Sequence, residues 1–249
     1  MINESLHKKP AALDRTKHRS LKLDRNARDM TRNKTLNAFF VAASEFAEAC
    51  KDYPVVWVPA GQDAKGKPQA ASIAVMGLQQ GSNLCIDAAD RWRVRYVPAM
   101  LRTYPFAMAR TSATDMVVCV DEDWIGLSNE TGDPLFTPDG QPTELTLGVQ
   151  KQLEQLEIDI ERSRLYAEKL LELKLLRDMQ FDATLPDGNK VQVNGFLTVD
   201  EDKLNALSDA QMVELARSGL LGLIHAHQIS LSNMSRLAEW HAERAAAAA

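Results

Sequence analysis

The sequence is short of the residues that staple or anchor a chain. Its 249 residues include three cysteines, Cys50, Cys85 and Cys119. They form no close pair and no metal-ligand spacing, which excludes a disulfide framework and a cysteine-rich metal site. Cys85 and Cys119 sit in apolar runs (LCID and VVCVD), where cysteine behaves as a small buried hydrophobe. That usage fits a reducing compartment. No apolar run approaches the roughly 20 residues that span a bilayer. The first residues lack the continuous apolar stretch of a secretory signal, so the expected location is the cytoplasm. Catalytic signatures are missing as well: there is no GxSxG elbow and no HExxH. Gly61 and Gly66 precede Pro68 rather than a helix start carrying GK[ST], so no phosphate cradle is expected. A net charge of -5 argues against a general nucleic-acid binder.

What is present is an ordinary globular composition with an uneven charge. Hydrophobic residues make up 45% and charged residues 25%, enough for one large domain or two small ones. Residues 1–35 hold ten Lys or Arg against four acids, a charge of +6 that leaves -11 for the remainder. Residues 1–32 lack periodicity and are expected to be extended or disordered until partnered. Such a basic leader docks on the acidic body, is solvated, or meets an anionic partner. Its removal is expected to leave folding intact. Residues 33–249 are expected to form a single α+β domain, β-rich over 53–140 and helix-rich over 144–244.

The patterning supports a mostly antiparallel β-meander packed by helices, with one long helix and a helical C-terminal region. Asn37 to Cys50 carries Phe39, Phe40, Ala43, Phe46 and Ala47 at helical spacing and is expected to be a helix ended by Asp52, Tyr53 and Pro54. VVWVP and AASIAVMGL read as strands joined by the turn GQDAKGKPQ. MVVCVDEDWIGLS adds a strand pair turning at Asp121 to Asp123. From about 145 to 178, Val149, Leu153, Leu156, Ile160, Ala167 and Leu170 mark the long helix. A hairpin follows, turning at Pro186-Asp187-Gly188-Asn189. Asp200 and Ser208 are candidate N-caps, and Gly219 a candidate C-cap.

The densest segment is residues 83–106, NLCIDAADRWRVRYVPAMLRTYPF. Leu84 to Asp87 and Arg93 to Val97 read as strands, with a short helix opened by Pro98. Arg91, Arg93 and Arg95 alternate with Trp92, Val94 and Tyr96, which puts guanidinium groups on one strand face and aromatics on the other. Two readings stand. Arg91, Arg95 and Arg102 grip a carboxylate or phosphate walled by Trp92 and Tyr96, or they form internal pairs with Asp87 or Asp90. His225 and His227, two apart on a helix, point about 200° away from each other and cannot share an ion. They read as polar groups at a helix-packing seam, with His227 the further candidate ligand-binding residue. Asp121-Glu122-Asp123 reads as a solvated turn, because three consecutive carboxylates diverge. No metal and no cofactor are expected.

Seven motifs in order, YPVVWVP, MGLQQGSNLCID, RWRVRYVPAMLRTYPF, CVDED, GDPLF, GFLTVDEDKLNAL and GLLGLIHAHQISLSN, resemble the bacterial SapC family from about His18 to Leu237. The resemblance implies an accessory role in handling surface-layer or envelope proteins, and carries no established reaction or catalytic set. The expected function is that of a non-enzymatic protein binding another protein or peptide. The alternatives are an enzyme, with peptide modification as one reaction class, and a small-ligand binder using the Arg/aromatic pocket. A deep cavity lined by Arg91, Trp92, Tyr96 and His227 would favour the alternatives.

Overall fold

A computed structural model describes residues 2–112, 115–184 and 190–248. Its strands, in chain order, are β1 Pro10–Ala12, β2 Lys22–Leu23, β3 Ala38–Phe40, β4 Val55–Gln62, β5 Pro68–Val75, β6 Phe106–Arg110, β7 Met116–Asp121, β8 Leu127–Ser128, β9 Asp133–Pro134, β10 Leu176–Thr184 and β11 Lys190–Val199. Its helices are α1 Phe46–Asp52, α2 Ala99–Thr103, α3 Glu144–Glu172, α4 Glu201–Asn205, α5 Asp209–Ser218, α6 Leu220–Ser230 and α7 Asn233–Ala248. The fold is α+β with antiparallel sheets, one long helix and a helical C-terminus. Among the described residues, no helix is long and apolar enough to cross a membrane.

The chain divides into two compact units. One joins the chain up to Asn33 with Ala99–Ile158; the other joins Lys34–Pro98 with the chain from Asp159 onward. The basic leader is therefore part of a core. In the first unit β1 pairs with β7, and β7 with β6; β2 lies between β8 and β9. Leu6 and Leu23 are buried, and Leu23 packs with Phe106, Met108, Val120, Leu135, Phe136 and Leu153. The leader shows no periodicity because strands of two and three residues are too short to display one. The expected pair in MVVCVDEDWIGLS is likewise split, with β7 and β8 in different sheets.

The second unit is built on a five-stranded sheet in the order β10-β11-β4-β5-β3. Residues 38–40, expected in a helix, pair with β5 through Phe39↔Ala74 and Phe40↔Ile73. The aromatic run suits a pleated half-buried surface, and ladder formation overrides the helical spacing. The helix starts only at Phe46 and ends at Asp52 before Tyr53-Pro54, where proline restricts the residue ahead of it. The long helix stops six residues before the expected end. Leu175 N–H bonds Leu170 O at 2.9 Å and Lys174 N–H bonds Leu171 O at 3.0 Å, with Lys174 left-handed at φ 54°. This Schellman closure brings the buried Leu170 and Leu175 together without a glycine to announce it.

β10 and β11 form the expected hairpin; its expected turn, 186–189, lies outside the described residues. Opposite Gln180, Asn194 and Gly195 form a bulge, with Gly195 at φ 85°, a conformation that favours glycine. The caps fall where expected. Asp200 accepts the Lys203 N–H, Ser208 makes a capping box with Gln211, and Gly219 closes α5 at φ 82°.

Candidate functional site

The Arg/aromatic segment does not form strands. Leu84 to Val97 is held by one isolated bridge, Ile86↔Trp92, and by side-chain turns. Asp87 Oδ1 accepts the N–H groups of Ala89 and Arg91 at 2.9 Å each, and Asp90 adopts φ 61°. Two aspartates with turn chemistry thus close a loop where alternation alone suggested a ladder. The Arg91 N–H and guanidinium hold the Asp87 carboxyl below its ordinary range. The alternation survives as burial: Arg91, Arg93 and Arg95 are exposed, while Trp92 and Tyr96 are half-buried and Val94 is buried.

The six candidate ligand residues go to different places. Arg91 pairs with Asp87 at 2.9 Å, its side chain 76% exposed. Arg95 and Tyr96 present their N–H groups to Asp52 Oδ2 at 3.0 and 2.8 Å. The Tyr96 hydroxyl donates to Glu45 at 2.7 Å. Arg102 belongs to the first unit, where it lines a cavity of about 670 Å³. His227 is fully buried and its ring lies 4.7 Å from that of Trp57.

His227 occupies the seam between helix and sheet. Its Nδ1–H donates to Val55 O at 2.6 Å, and its Nε2 accepts from Thr198 Oγ1 at 2.9 Å and Val199 N at 3.2 Å. Burial lowers its pKa to about 4, although the Val55 carbonyl favours the charged ring. The neutral tautomer is fixed by three bonds, leaving neither nitrogen for proton transfer. His227 opens a polar stripe spaced three apart. Ser230 Oγ accepts Val55 N–H at 2.9 Å, and Asn233 Nδ2 donates to Cys50 O at 2.9 Å and Tyr53 O at 3.0 Å. Arg236 Nη2 donates to Asp52 O at 2.6 Å. The stripe satisfies carbonyls at the end of α1, which lack helical partners.

Beyond it lies the cleft that the segment does line, about 640 Å³ in volume. Trp240 forms part of its wall, with the Arg93 guanidinium 4.3 Å and that of Arg236 5.3 Å from the ring centre. Arg93 pairs with Glu243 at 2.6 Å and Lys34 with Asp90 at 2.5 Å. Arg244 clamps Asn83 O at 2.8 Å and Ile86 O at 2.9 Å. None of the six candidate residues lines this cleft; from the same segment Asn83, Ile86, Asp87, Ala88, Asp90 and Arg93 do, and sequence reasoning missed the helix side as well. The signal was Trp240, Glu243 and Arg244 at i, i+3 and i+4, one face of α7.

In the first unit, the acidic run is a docking point for the leader. Asp121 is buried and accepts Lys9 N–H at 2.8 Å, Lys8 N–H at 3.2 Å, Tyr104 OH at 2.8 Å and Arg32 Nη1 at 2.5 Å. Burial opposes its charge, but these donors outweigh it and hold the carboxyl low. Glu122 takes Lys17, His18 at 3.1 Å and Lys9 at 3.2 Å, which hold its carboxyl at about 2. Asp123 takes Arg32 Nη2 at 2.8 Å. The run is more than a solvated turn: Asp121 and Asp123 share the Arg32 guanidinium, while Glu122 takes Lys9, Lys17 and His18. Among the described residues, no three of His, Cys, Asp and Glu converge as a metal site. Burial pushes the Cys85 thiol up to about 12, far from nucleophilic use at neutral pH.

The model of the SapC family matches residues 13–237. Searches of curated proteins and of solved structures find no match.

Proposed function

Because the chain belongs to the SapC family, we propose that it is a non-catalytic accessory protein of the cytoplasm that binds a protein or peptide in the handling of surface-layer or envelope proteins. The observation that carries this reading is the cleft around Trp240. Its ion pairs are partly or largely exposed, with side-chain exposures of 28% and 60% for Arg93 and Glu243 and of 48% and 49% for Lys34 and Asp90. Exposed pairs contribute about 0–1 kcal/mol, so a partner's charged groups can replace either member at little cost. An indole flanked by exchangeable charges of both signs suits a peptide segment that supplies backbone, charge and apolar surface together. The enzymatic alternative gains nothing from His227, whose nitrogens are both engaged in main-chain and side-chain bonds.

The test is binding of short peptides of varied charge to the full chain, with mass spectrometry of the peptides afterwards. A subset is expected to bind saturably, and Arg93→Glu to weaken it by about tenfold or more, the equivalent of 1.4 kcal/mol. Adding Glu243→Arg is expected to restore the pair and part of the affinity. Equal binding by all variants would remove the cleft from the reading, and a mass change in the peptides would establish an enzyme instead.

A further inference from the structure

Gly148 stands in the second turn of α3, where glycine is a poorer helix former than alanine. Nothing in the backbone asks for it, since its φ is not positive, and a Cβ there would meet no atom within 4 Å. It faces the first unit's cavity of about 670 Å³, within the size range of small-molecule sites, roughly 300–1,000 Å³. Leu145, Gly148, Val149 and Gln152 line the wall at i, i+3, i+4 and i+7, a single helix face. Glycine keeps that face recessed. Elsewhere in the lining, Trp124 lies edge-on to Tyr104, with centroids 5.1 Å apart and planes at 82°.

The charged lining is unequal in how it is used. Asp24 and Asp29 accept N–H groups of their own turns, from Asn26 at 2.8 Å and Thr31 at 2.9 Å. Glu144 is in the first turn of α3, where the helix dipole favours an acid. Two of the cations are held more loosely. Arg28 uses Nη1 on the carbonyls of Arg25 and Ala27, and Arg25 reaches Asp133 only at 3.9 Å. Arg102 completes the basic set.

We propose that this cavity binds an amphipathic organic anion. Its apolar body lies against Trp124, Leu145 and Val149, and its acidic headgroup faces Arg25, Arg28 and Arg102. The site shares no residue with the Trp240 cleft, so the two proposals stand or fall separately.

The probe is 8-anilinonaphthalene-1-sulfonate, titrated into the full chain and followed by its fluorescence. Saturable binding at one site is expected, displaced by dodecanoate and not by dodecyltrimethylammonium. Gly148→Leu, which fills the recess, is expected to weaken binding about tenfold or more while circular dichroism and melting are maintained. Should that variant fail to fold, the exposed pair Arg28→Glu with Arg102→Glu carries the test, with the same loss expected. Non-saturable fluorescence, equal displacement by the cationic amphiphile, or unchanged binding in the folded variants would overturn the proposal.

Discussion

Replacing His227 by leucine asks whether that ring is structure or chemistry. The ring is 0% exposed. Its loss leaves the Val55 carbonyl with a 3.3 Å contact from Ser230, and takes an acceptor from Val199 N–H and the Thr198 hydroxyl. A buried polar group left unpaired costs about 1–3 kcal/mol, and leucine refills most of the ring's volume. The expected destabilisation at neutral pH is therefore about 3–5 kcal/mol. The pH dependence supplies a sharper signature. The pKa falls from 6.5 to about 4 on folding, so between those values the unfolded chain binds more protons. The group's contribution is complete above about pH 6.5 and is lost as pH drops towards 4. From about pH 7.5 to about pH 5 the wild type should lose about 2 kcal/mol through this residue. His7, also lowered by burial, adds its own loss to wild type and variant alike, so the difference between their urea-denaturation curves isolates His227. A variant with the wild-type pH slope would refute the reasoning. So would an imidazole seen by NMR to titrate near its ordinary value, which would return His227 to the list of acid–base candidates.

Arg32→Ala should destabilise by about 3 kcal/mol, the low end for breaking a buried pair, because Asp121 keeps two main-chain N–H groups and Tyr104. Thermal melts should show the deficit shrinking in acid, where Asp121 becomes protonated, and a constant deficit would contradict this. Gly148→Ala should raise stability by about 0.5–1 kcal/mol, measured by scanning calorimetry; a lower melting temperature would mean that the recess is filled in the free protein. Deleting the chain up to Asn33 removes β1, β2 and the cations on Asp121 and Glu122. Soluble expression should fall, and a soluble, cooperatively melting product would restore the separable leader that composition suggested.

Local chemistry made part of this fold legible. Asp200, Ser208 and Gly219 each act through atoms within three residues, so their caps could be read without tertiary knowledge. The errors arise where distant partners decide. Phe39 and Phe40 have helical spacing, yet β5 offers them a ladder. The end of α3 was misplaced because Lys174, not glycine, takes the left-handed position, stabilised by burial of Leu170 and Leu175. The leader seemed unstructured because its leucines are packed one at a time by strands and turns of the same unit.

None of Arg91, Trp92, Arg95, Tyr96, Arg102 and His227 lines the cleft around Trp240, which was not legible in the sequence for a related reason. Asp87, Asp90 and Arg93 are close in sequence, whereas Trp240 and Glu243 come from the far end of the chain. His227 reads from the sequence as a seam residue, but Ser230, Asn233 and Arg236 carry no sequence mark of what they meet, since a polar stripe usually faces water. Only the position of the end of α1 turns that stripe into a template for main-chain groups. Each member lost would expose a buried carbonyl or amide, so replacements here act on stability first. Reversible recognition needs the opposite arrangement, in which both members of a pair can be hydrated when released. Arg93 with Glu243, and Lys34 with Asp90, meet that condition around Trp240. The division between a fixed stripe and an exchangeable cleft on the same C-terminal helices is what makes the cleft, not the histidine, the place to look for a partner.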